Sequence, residues 1–287
     1  MADALSTCLL DGALLPTSSA RISPFDRGFL FGDGIYEVVP CYGGRPFRLP
    51  AHFDRLEAGL DALGIHNPYP RARWAELIQA LITANGGGDM GLYLEITRGT
   101  EQGRDFLPQP GMNPTIFGFC WRLEVARPEQ LERGISVVTL EDIRWLRCDI
   151  KSIALLAPVM LRMEAKRRGA DEAILVRQGR LAEGSSSAVF VVNDGRIATA
   201  PASNERLPSI TRLVVGEVIV ALGLPLEVRE IHHDEIYTSD EIWIASATRE
   251  VMPVTLLDGR ALGTGKPGPI WRRVFDEYQA FKKREAA

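Results

Sequence analysis

Lysine is rare in this chain, and one lysine stands in an apolar setting. The sequence has 33 lysines and arginines together, but lysine occurs only at positions 151, 166, 266, 282 and 283. Lys151 follows the tryptophan-containing stretch DIRWLRCDI and precedes a run rich in isoleucine, leucine and alanine. Burial lowers the pKa of an ammonium, and the free amine can then attack a carbonyl or aldehyde carbon. On composition alone, an ion pair with Asp149 or Glu141 remains the somewhat more ordinary role for this lysine.

Two later segments have the composition of ligand-binding sites. Residues 181–192, LAEGSSSAVFVV, place Glu183 beside a glycine and three serines ahead of an apolar strand. Residues 207–222, LPSITRLVVGEVIVAL, place Ser209 and Thr211 at the start of a helix, where free amides and the helix dipole favour phosphate. Taken singly, a serine-rich turn and an ordinary helix cap explain them as well.

An early segment, FDRGFLFGDGIYEVV at 25–39, contains three glycines within seven residues. Their spacing matches neither GxGxxG nor GxxxxGK[ST], so a nucleotide loop is not indicated. Glycines instead permit close approach of backbones in a tight turn. We expect this turn to bring the phenol of Tyr36 from a strand into a cleft.

Composition excludes several classes of partner. A net charge of -4 without a basic run argues against nucleic acid and anionic membranes, and no apolar stretch approaches the ~20 residues of a membrane span. The first residues lack a basic region of the signal-peptide type, so a cytoplasmic protein is expected. The four cysteines form no CxxC pair and the four histidines no HExxH motif, which predicts no disulfide and no metal. The adjacent pair His232 and His233 is expected in a loop.

Residue periodicity predicts the elements that position these groups, in a chain long enough for two domains. In the first half, strands are predicted at 35–42, 91–98 and 115–121, and helices at 51–63 and 71–84, each closed by glycine or asparagine. These define an N-terminal α/β domain at 1–122, followed by a polar linker at 123–128.

The remaining residues, 129–287, are predicted to form a C-terminal domain. Strands are expected at 135–140, 172–177, 187–192, 195–200 and 241–247, and helices at 156–169, 211–222 and 269–283. A turn at Asp194 and Gly195 joins two strands, and this group of short strands is expected to be antiparallel.

Four segments together, DRGFLFGDGIYEV, DIRWLRCDIKS, EGSSSAVF and ITR, resemble the class IV aminotransferases in order and spacing. The resemblance runs from end to end and is strongest toward bacterial D-amino-acid aminotransferases. It implies the α/β (α+β) two-domain fold type IV, with a smaller N-terminal domain and a larger C-terminal domain that has a mainly antiparallel, barrel-like sheet. It also implies pyridoxal 5'-phosphate in the interdomain cleft, and a homodimer in which each subunit completes its neighbour's site.

The resemblance implies a role for each matching residue. Lys151 would form a Schiff base with the cofactor and shuttle the proton at the substrate's Cα, while Glu183 would pair with the pyridine nitrogen. The other residues implied in cofactor binding are Arg55, Ile210, Thr211 and Ala247 near the phosphate and Leu207 against the ring. Tyr36 and Val38 would face the substrate.

The implied reaction is a ping-pong transamination between two small molecules. A D-amino acid of the D-alanine or D-glutamate type leaves its nitrogen on the cofactor, and a 2-oxo acid such as pyruvate or 2-oxoglutarate then collects it.

The sequence departs from the family pattern at the substrate loop. D-amino-acid aminotransferases carry an Arg-x-His pair that holds the substrate carboxylate, and TRGTEQGRDFLP has Gly103 and Asp105 there. Arg104 or Arg249 is the candidate replacement.

Two further departures concern the cofactor. Alanine stands at position 188 where the family has asparagine, and at position 247 where it has threonine. The second change removes a hydroxyl beside the phosphate, although the backbone amide of Ala247 could still donate.

Several functions stay open on the sequence alone. A branched-chain L-aminotransferase, an (R)-amine aminotransferase and an aminodeoxychorismate-type lyase would share the cofactor chemistry and differ in substrate contacts. A non-catalytic α/β binding protein would reuse the scaffold without the chemistry.

Overall fold

The structure is a computed structural model that describes residues 3–124 and 126–286. These residues form two compact units, each with its own sheet. The first unit comprises residues 3–124 together with Ile150–Leu155, and the second comprises residues 126–149 and Leu156–Glu285. Residue 125, within the predicted linker 123–128, lies outside the described residues. The domain boundaries of the sequence analysis stay a prediction.

The first unit is built on a six-stranded antiparallel sheet. Its strands are β1 (Thr7–Leu10), β2 (Ala13–Pro16), β3 (Gly34–Tyr42), β4 (Arg45–Pro46), β5 (Met90–Thr97) and β6 (Thr115–Arg122), in the order β2-β1-β6-β5-β3-β4. Its helices are α1 (Arg27–Phe31), α2 (Leu49–Leu63) and α3 (Arg71–Ala84). The three predicted strands and two predicted helices are confirmed, and α2 and α3 end at Gly64 and Asn85 as predicted.

The alternation of side chains along β3 separates a core face from a second face. Ile35 and Val39 are buried in the core, which includes Leu60 of α2 and Ile78 of α3. Tyr36 and Val38 lie on the other face, where they are half-buried.

The glycines before β3 are required by close packing and by backbone conformation. A Cβ at Gly34 would lie 2.7 Å from the Ile96 carbonyl oxygen, and Gly32 has φ 67° at the end of α1. The predicted tight turn ahead of Tyr36 is confirmed.

The second unit is built on a nine-stranded sheet. Its strands are β7 (Ile135–Glu141), β8 (Glu172–Arg177), β9 (Arg180–Gly184), β10 (Ala188–Asn193), β11 (Arg196–Thr199), β12 (Leu226–Val228), β13 (Glu241–Ser246), β14 (Glu250–Leu257) and β15 (Arg260–Ala261). The order is β12-β11-β10-β13-β14-β7-β8-β9, and β15 pairs with β14. Its helices are α4 (Pro128–Arg133), α5 (Leu156–Arg167), α6 (Ile210–Ala221), α7 (His233–Thr238) and α8 (Pro269–Ala286).

Most strand pairs of this sheet are antiparallel, as expected. Within the described residues, β7 nevertheless runs parallel to both β8 and β14, and β11 runs parallel to β12. The Asp194–Gly195 turn is confirmed, with φ of 48° and 76°. The loop predicted for the histidine pair is wrong for His233, whereas His232 precedes the helix. His233 begins α7, because the Glu235 carboxylate accepts a hydrogen bond from the His232 amide at the helix start (2.9 Å).

Residues 150–155 belong to the first unit, although the sequence analysis assigned them to the C-terminal domain. They run beside the start of β3, where Ile35 and Ser152 form an isolated antiparallel bridge. The Ile153 amide also donates to the Gly34 carbonyl (3.1 Å). These backbone hydrogen bonds tie Lys151 to the strand that carries Tyr36.

Across the part of the chain that the structure describes, no helix combines the length and apolar character that crossing a membrane requires.

Candidate active site

Lys151 lies directly against Tyr36 in the first unit. The Lys151 carbonyl accepts a hydrogen bond from the Tyr36 amide (2.9 Å), and its Nζ lies 4.0 Å from the centre of the Tyr36 ring. No described carboxylate of this unit pairs with the Nζ. Asp149, which composition offered as an ion-pair partner, pairs with Arg147 at 3.0 Å instead. Lys151 is therefore a half-buried residue whose amine lies against an aromatic face.

A buried ion cluster lies on the opposite face of β3. Arg55 donates to both carboxylate oxygens of Glu37 (2.7 Å each), and the Nδ1 of His52 lies 2.6 Å from Oε2 of Glu37. Burial alone would raise the pKa of Glu37, but Arg55 and His52 outweigh it and lower this pKa to about 2. Arg55, which the resemblance assigns to the phosphate, is thus oriented by a carboxylate that the sequence analysis did not single out.

Replacing Glu37 by glutamine tests how much this cluster contributes to stability. We expect a loss of about 3 to 5 kcal/mol in unfolding free energy at pH 7, because the buried Arg55 loses the negative charge of Glu37 that faces it. The pKa of Glu37 is about 2 when folded and near its ordinary value of 4.5 when unfolded, so its contribution is complete above pH 4.5. That contribution is lost as the pH falls toward 2. Urea unfolding of both proteins across this pH range should show the difference between their unfolding free energies shrinking as the pH falls. A difference that stays constant would contradict a stabilising, ionised Glu37.

Arg104 lies on an exposed loop that follows β5. Its guanidinium carbon is 5.0 Å from the centre of the Phe31 ring and 5.4 Å from that of Phe106. The buried Arg27 fixes this loop by donating to the carbonyls of Asp105 (2.8 Å) and Phe106 (2.9 Å). Arg104 therefore rests between two aromatic rings on a loop with a defined backbone.

Glu183 lies near the end of β9 in the second unit, where it is buried and has hydrogen-bond donors on two sides. Arg144 donates to its Oε1, and the Leu207 amide lies 3.3 Å from Oε1 and 3.2 Å from Oε2. Burial raises the pKa of Glu183, and Arg144 with the Leu207 amide opposes that rise. Asp142 in turn accepts a hydrogen bond from Arg144 (2.8 Å). The structure thus adds Arg144, within the motif around Lys151, as the residue that orients Glu183.

The start of α6 presents backbone amides next to this carboxylate segment. The Oγ of Ser209 accepts from the Arg212 amide (3.2 Å), and the helix begins at Ile210 and Thr211, which are both buried. The first amides of a helix have no acceptor within it, so they can bind an anion.

The serine cluster lies against a buried carboxylate of the protein itself. Ser185 and Ser186 both donate to Glu172, which is fully buried, whereas the buried Oγ of Ser187 has no described partner. Two of the three serines thus hold a carboxylate of the protein itself.

Of the remaining predicted positions, Ala188 is buried in β10 and Ala247 follows β13. Arg249, considered as a carboxylate trap, pairs with Glu172 at 3.2 Å. No described group of three histidine, cysteine, aspartate or glutamate side chains is arranged to hold a metal ion.

Comparisons with known proteins agree on one family. Residues 34–257 match the family model for amino-transferase class IV. The D-alanine aminotransferase of Bacillus licheniformis is 38% identical over 266 residues, which cover 93% of each chain. That of Staphylococcus aureus strain N315 is 35% identical over 95% of this chain and 96% of its own. A T.th. branched-chain amino acid aminotransferase, solved with pyridoxamine 5'-phosphate, superposes with a TM-score of 0.91 at 26% identity, covering 96% of this chain and 93% of its own.

Proposed function

The chain belongs to the class IV aminotransferases, and from this premise we propose that it transfers the amino group of D-alanine and similar D-amino acids to 2-oxo acids such as pyruvate. Membership of this family implies the type IV aminotransferase fold and dependence on pyridoxal phosphate. The observation that carries the proposal is the Lys151 amine, placed 4.0 Å from the Tyr36 ring without a carboxylate partner in its unit. Likeness to D-alanine aminotransferases over 93% of the chain supports the D-amino-acid substrate.

The described residues fit pyridoxal phosphate in charge and hydrogen bonding. The buried carboxylate of Glu183 suits a protonated pyridine nitrogen, since its Oε2 has only the Leu207 amide as a described donor. The amides of Ile210 and Thr211 suit the phosphate, with Arg55 as its cation and the Ala247 amide as a further donor. When bound, the cofactor supplies an electron sink for the electron pair that is released as the Cα–H bond breaks.

The residues of the chain then divide the work. Lys151 holds the cofactor covalently and, once the substrate displaces it, moves the proton at the substrate's Cα. Leu207 packs against the ring, and Tyr36 and Val38 face the substrate. Arg104 is the candidate for the substrate carboxylate.

We also propose that the protein is a homodimer that works in the cytoplasm. Helix α5 exposes four apolar side chains at positions i, i+3, i+4 and i+7, which form one face that a second copy would cover: Leu156, Val159, Met160 and Met163. The described chain holds four buried free thiols, as in proteins of reducing compartments. Sedimentation equilibrium and cell fractionation measure the two properties.

An amino-donor screen tests the proposed reaction. Both enantiomers of alanine, glutamate and leucine are offered with pyruvate or 2-oxoglutarate, and we expect turnover with the D-enantiomers. A branched-chain activity is the second candidate because of the likeness to the T.th. branched-chain enzyme. Transamination of L-leucine alone would establish that alternative, and protein that neither turns yellow with pyridoxal phosphate nor turns over any donor would indicate a binding protein.

A further inference from the structure

Glu95 lies beside Tyr36 on the sheet face that carries Lys151. In the antiparallel pairing of β3 with β5, Tyr36 is directly opposite Glu95, and Val38 is opposite Tyr93. Residues that pair across antiparallel strands project from the same face. The ring under the Lys151 amine therefore has a carboxylate as its immediate neighbour.

Tyr93 fixes the position of this carboxylate. Its phenol donates to Oε2 of Glu95 (2.6 Å), and its ring stacks on that of Tyr36 with centres 5.6 Å apart. Burial raises the pKa of Glu95, and the hydrogen bond from Tyr93 acts in the opposite direction. No other described residue donates a hydrogen bond to Glu95, and none pairs with it as a cation. An ammonium group would supply the missing counter-charge.

A cavity of about 400 Å³ in the first unit lies next to Glu95. Glu95 lines it together with Thr97, Thr115, Phe29 and Phe117, and no lysine, arginine or histidine takes part. Asp26 also borders the cavity, but its oxygens accept hydrogen bonds from the Gly28 amide (2.8 Å) and the Thr115 hydroxyl (2.6 Å). Both oxygens of Asp26 therefore have donors, whereas Oε1 of Glu95 has no described hydrogen-bond partner.

We propose that Glu95 selects the amino donor by the charge of its side chain, so that D-lysine and D-ornithine are favoured over D-glutamate and D-aspartate. The inference rests on the proposed function, in which a D-amino acid reacts beside Lys151 and its side chain extends past Tyr36 into this cavity. An alkyl chain packs on the phenylalanines while its terminal ammonium reaches the carboxylate. An acidic side chain in the same place faces a like charge in a partly buried setting, where water screens it poorly.

Replacing Glu95 by glutamine removes the charge and keeps both the size and the acceptor for the Tyr93 phenol. We measure kcat/KM for D-lysine, D-glutamate and D-alanine with pyruvate as acceptor. The ratio of D-lysine to D-glutamate should favour D-lysine in the parent enzyme and fall at least about tenfold in Glu95→Gln, as expected for a charge interaction at intermediate dielectric. D-alanine, whose methyl group does not reach Glu95, should react at the parent rate.

Glu76→Gln is the matched control, since it removes the same charge from the exposed surface of α3. It should leave the ratio of kcat/KM for D-lysine to D-glutamate unchanged. This result would show that the effect of Glu95→Gln is local and does not come from the change in net charge. A parent enzyme that prefers D-glutamate to D-lysine, or a ratio that Glu95→Gln does not alter while D-alanine still reacts, would overturn the inference. The first of these results needs no variant. Absence of turnover with D-alanine in the parent would instead refute the proposed function.

Discussion

Replacing Lys151 by alanine is expected to lower kcat for D-alanine transamination by at least about 10⁴-fold, the upper range for loss of a positioned proton-transfer group. The variant loses both the covalent attachment of the cofactor and the base that acts at the substrate's Cα. Lys151→Arg should fail to the same degree, because a guanidinium keeps the charge but offers no free amine. Single-turnover kinetics with saturating pyridoxal phosphate measure the loss.

Two comparisons make this result specific. Lys166→Ala removes an exposed lysine from α5 and should retain the parent kcat. In the cofactor-free form, the Lys151 variants should unfold at the parent temperature, since no described carboxylate of the first unit pairs with the Nζ. Turnover within tenfold of the parent in Lys151→Ala would show that another group performs the proton transfer.

Replacing Glu183 by glutamine is expected to lower kcat by about 10²-fold or more, the usual effect of removing one buried electrostatic contact to a reacting group. Glutamine keeps the shape and an oxygen for the Leu207 amide but removes the charge. The pyridine nitrogen then loses the partner that keeps it protonated, and the ring becomes a weaker electron acceptor. Rates with saturating cofactor separate this effect from weaker binding.

Glu172→Gln serves as the control for loss of a buried charge. Glu172 lies in the same unit, is fully buried and pairs with Arg249, but it is not among the residues proposed to contact the cofactor. This variant should lose stability and keep its kcat at low temperature. Equal losses of kcat in the two variants would mean that Glu183 acts only through the fold.

Local patterns predicted the elements of the fold better than their pairing. The helices α2 and α3 and the strands β3, β5 and β6 follow from residue periodicity, which depends on near neighbours. The parallel neighbours of β7 come from distant parts of the chain, so periodicity does not reveal them. For the same reason the sequence did not show that Ile150–Leu155 joins the first unit.

In the candidate site, some residues were likewise recognisable from local sequence and others only from the structure. Lys151 was singled out because an isolated lysine in an apolar stretch is chemically unusual. Glu37 and Arg144 were missed because each is recognisable only from its partner, 18 residues away for Arg55 and 39 for Glu183. No sequence pattern marks Glu95 as a site residue, since only the strand register places it beside Tyr36. The serines of EGSSSAVF suggested a ligand site, but Ser185 and Ser186 bind Glu172.

The role of Lys151 is tested by borohydride reduction of the purified protein with bound pyridoxal phosphate, followed by mass mapping of its lysine peptides. Reduction makes the bond between a lysine amine and the cofactor permanent. We expect one pyridoxyl group, on Lys151, with the other four lysines unmodified. A label on any other lysine, or protein that remains unlabelled, would contradict the assignment of Lys151 as the reactive amine.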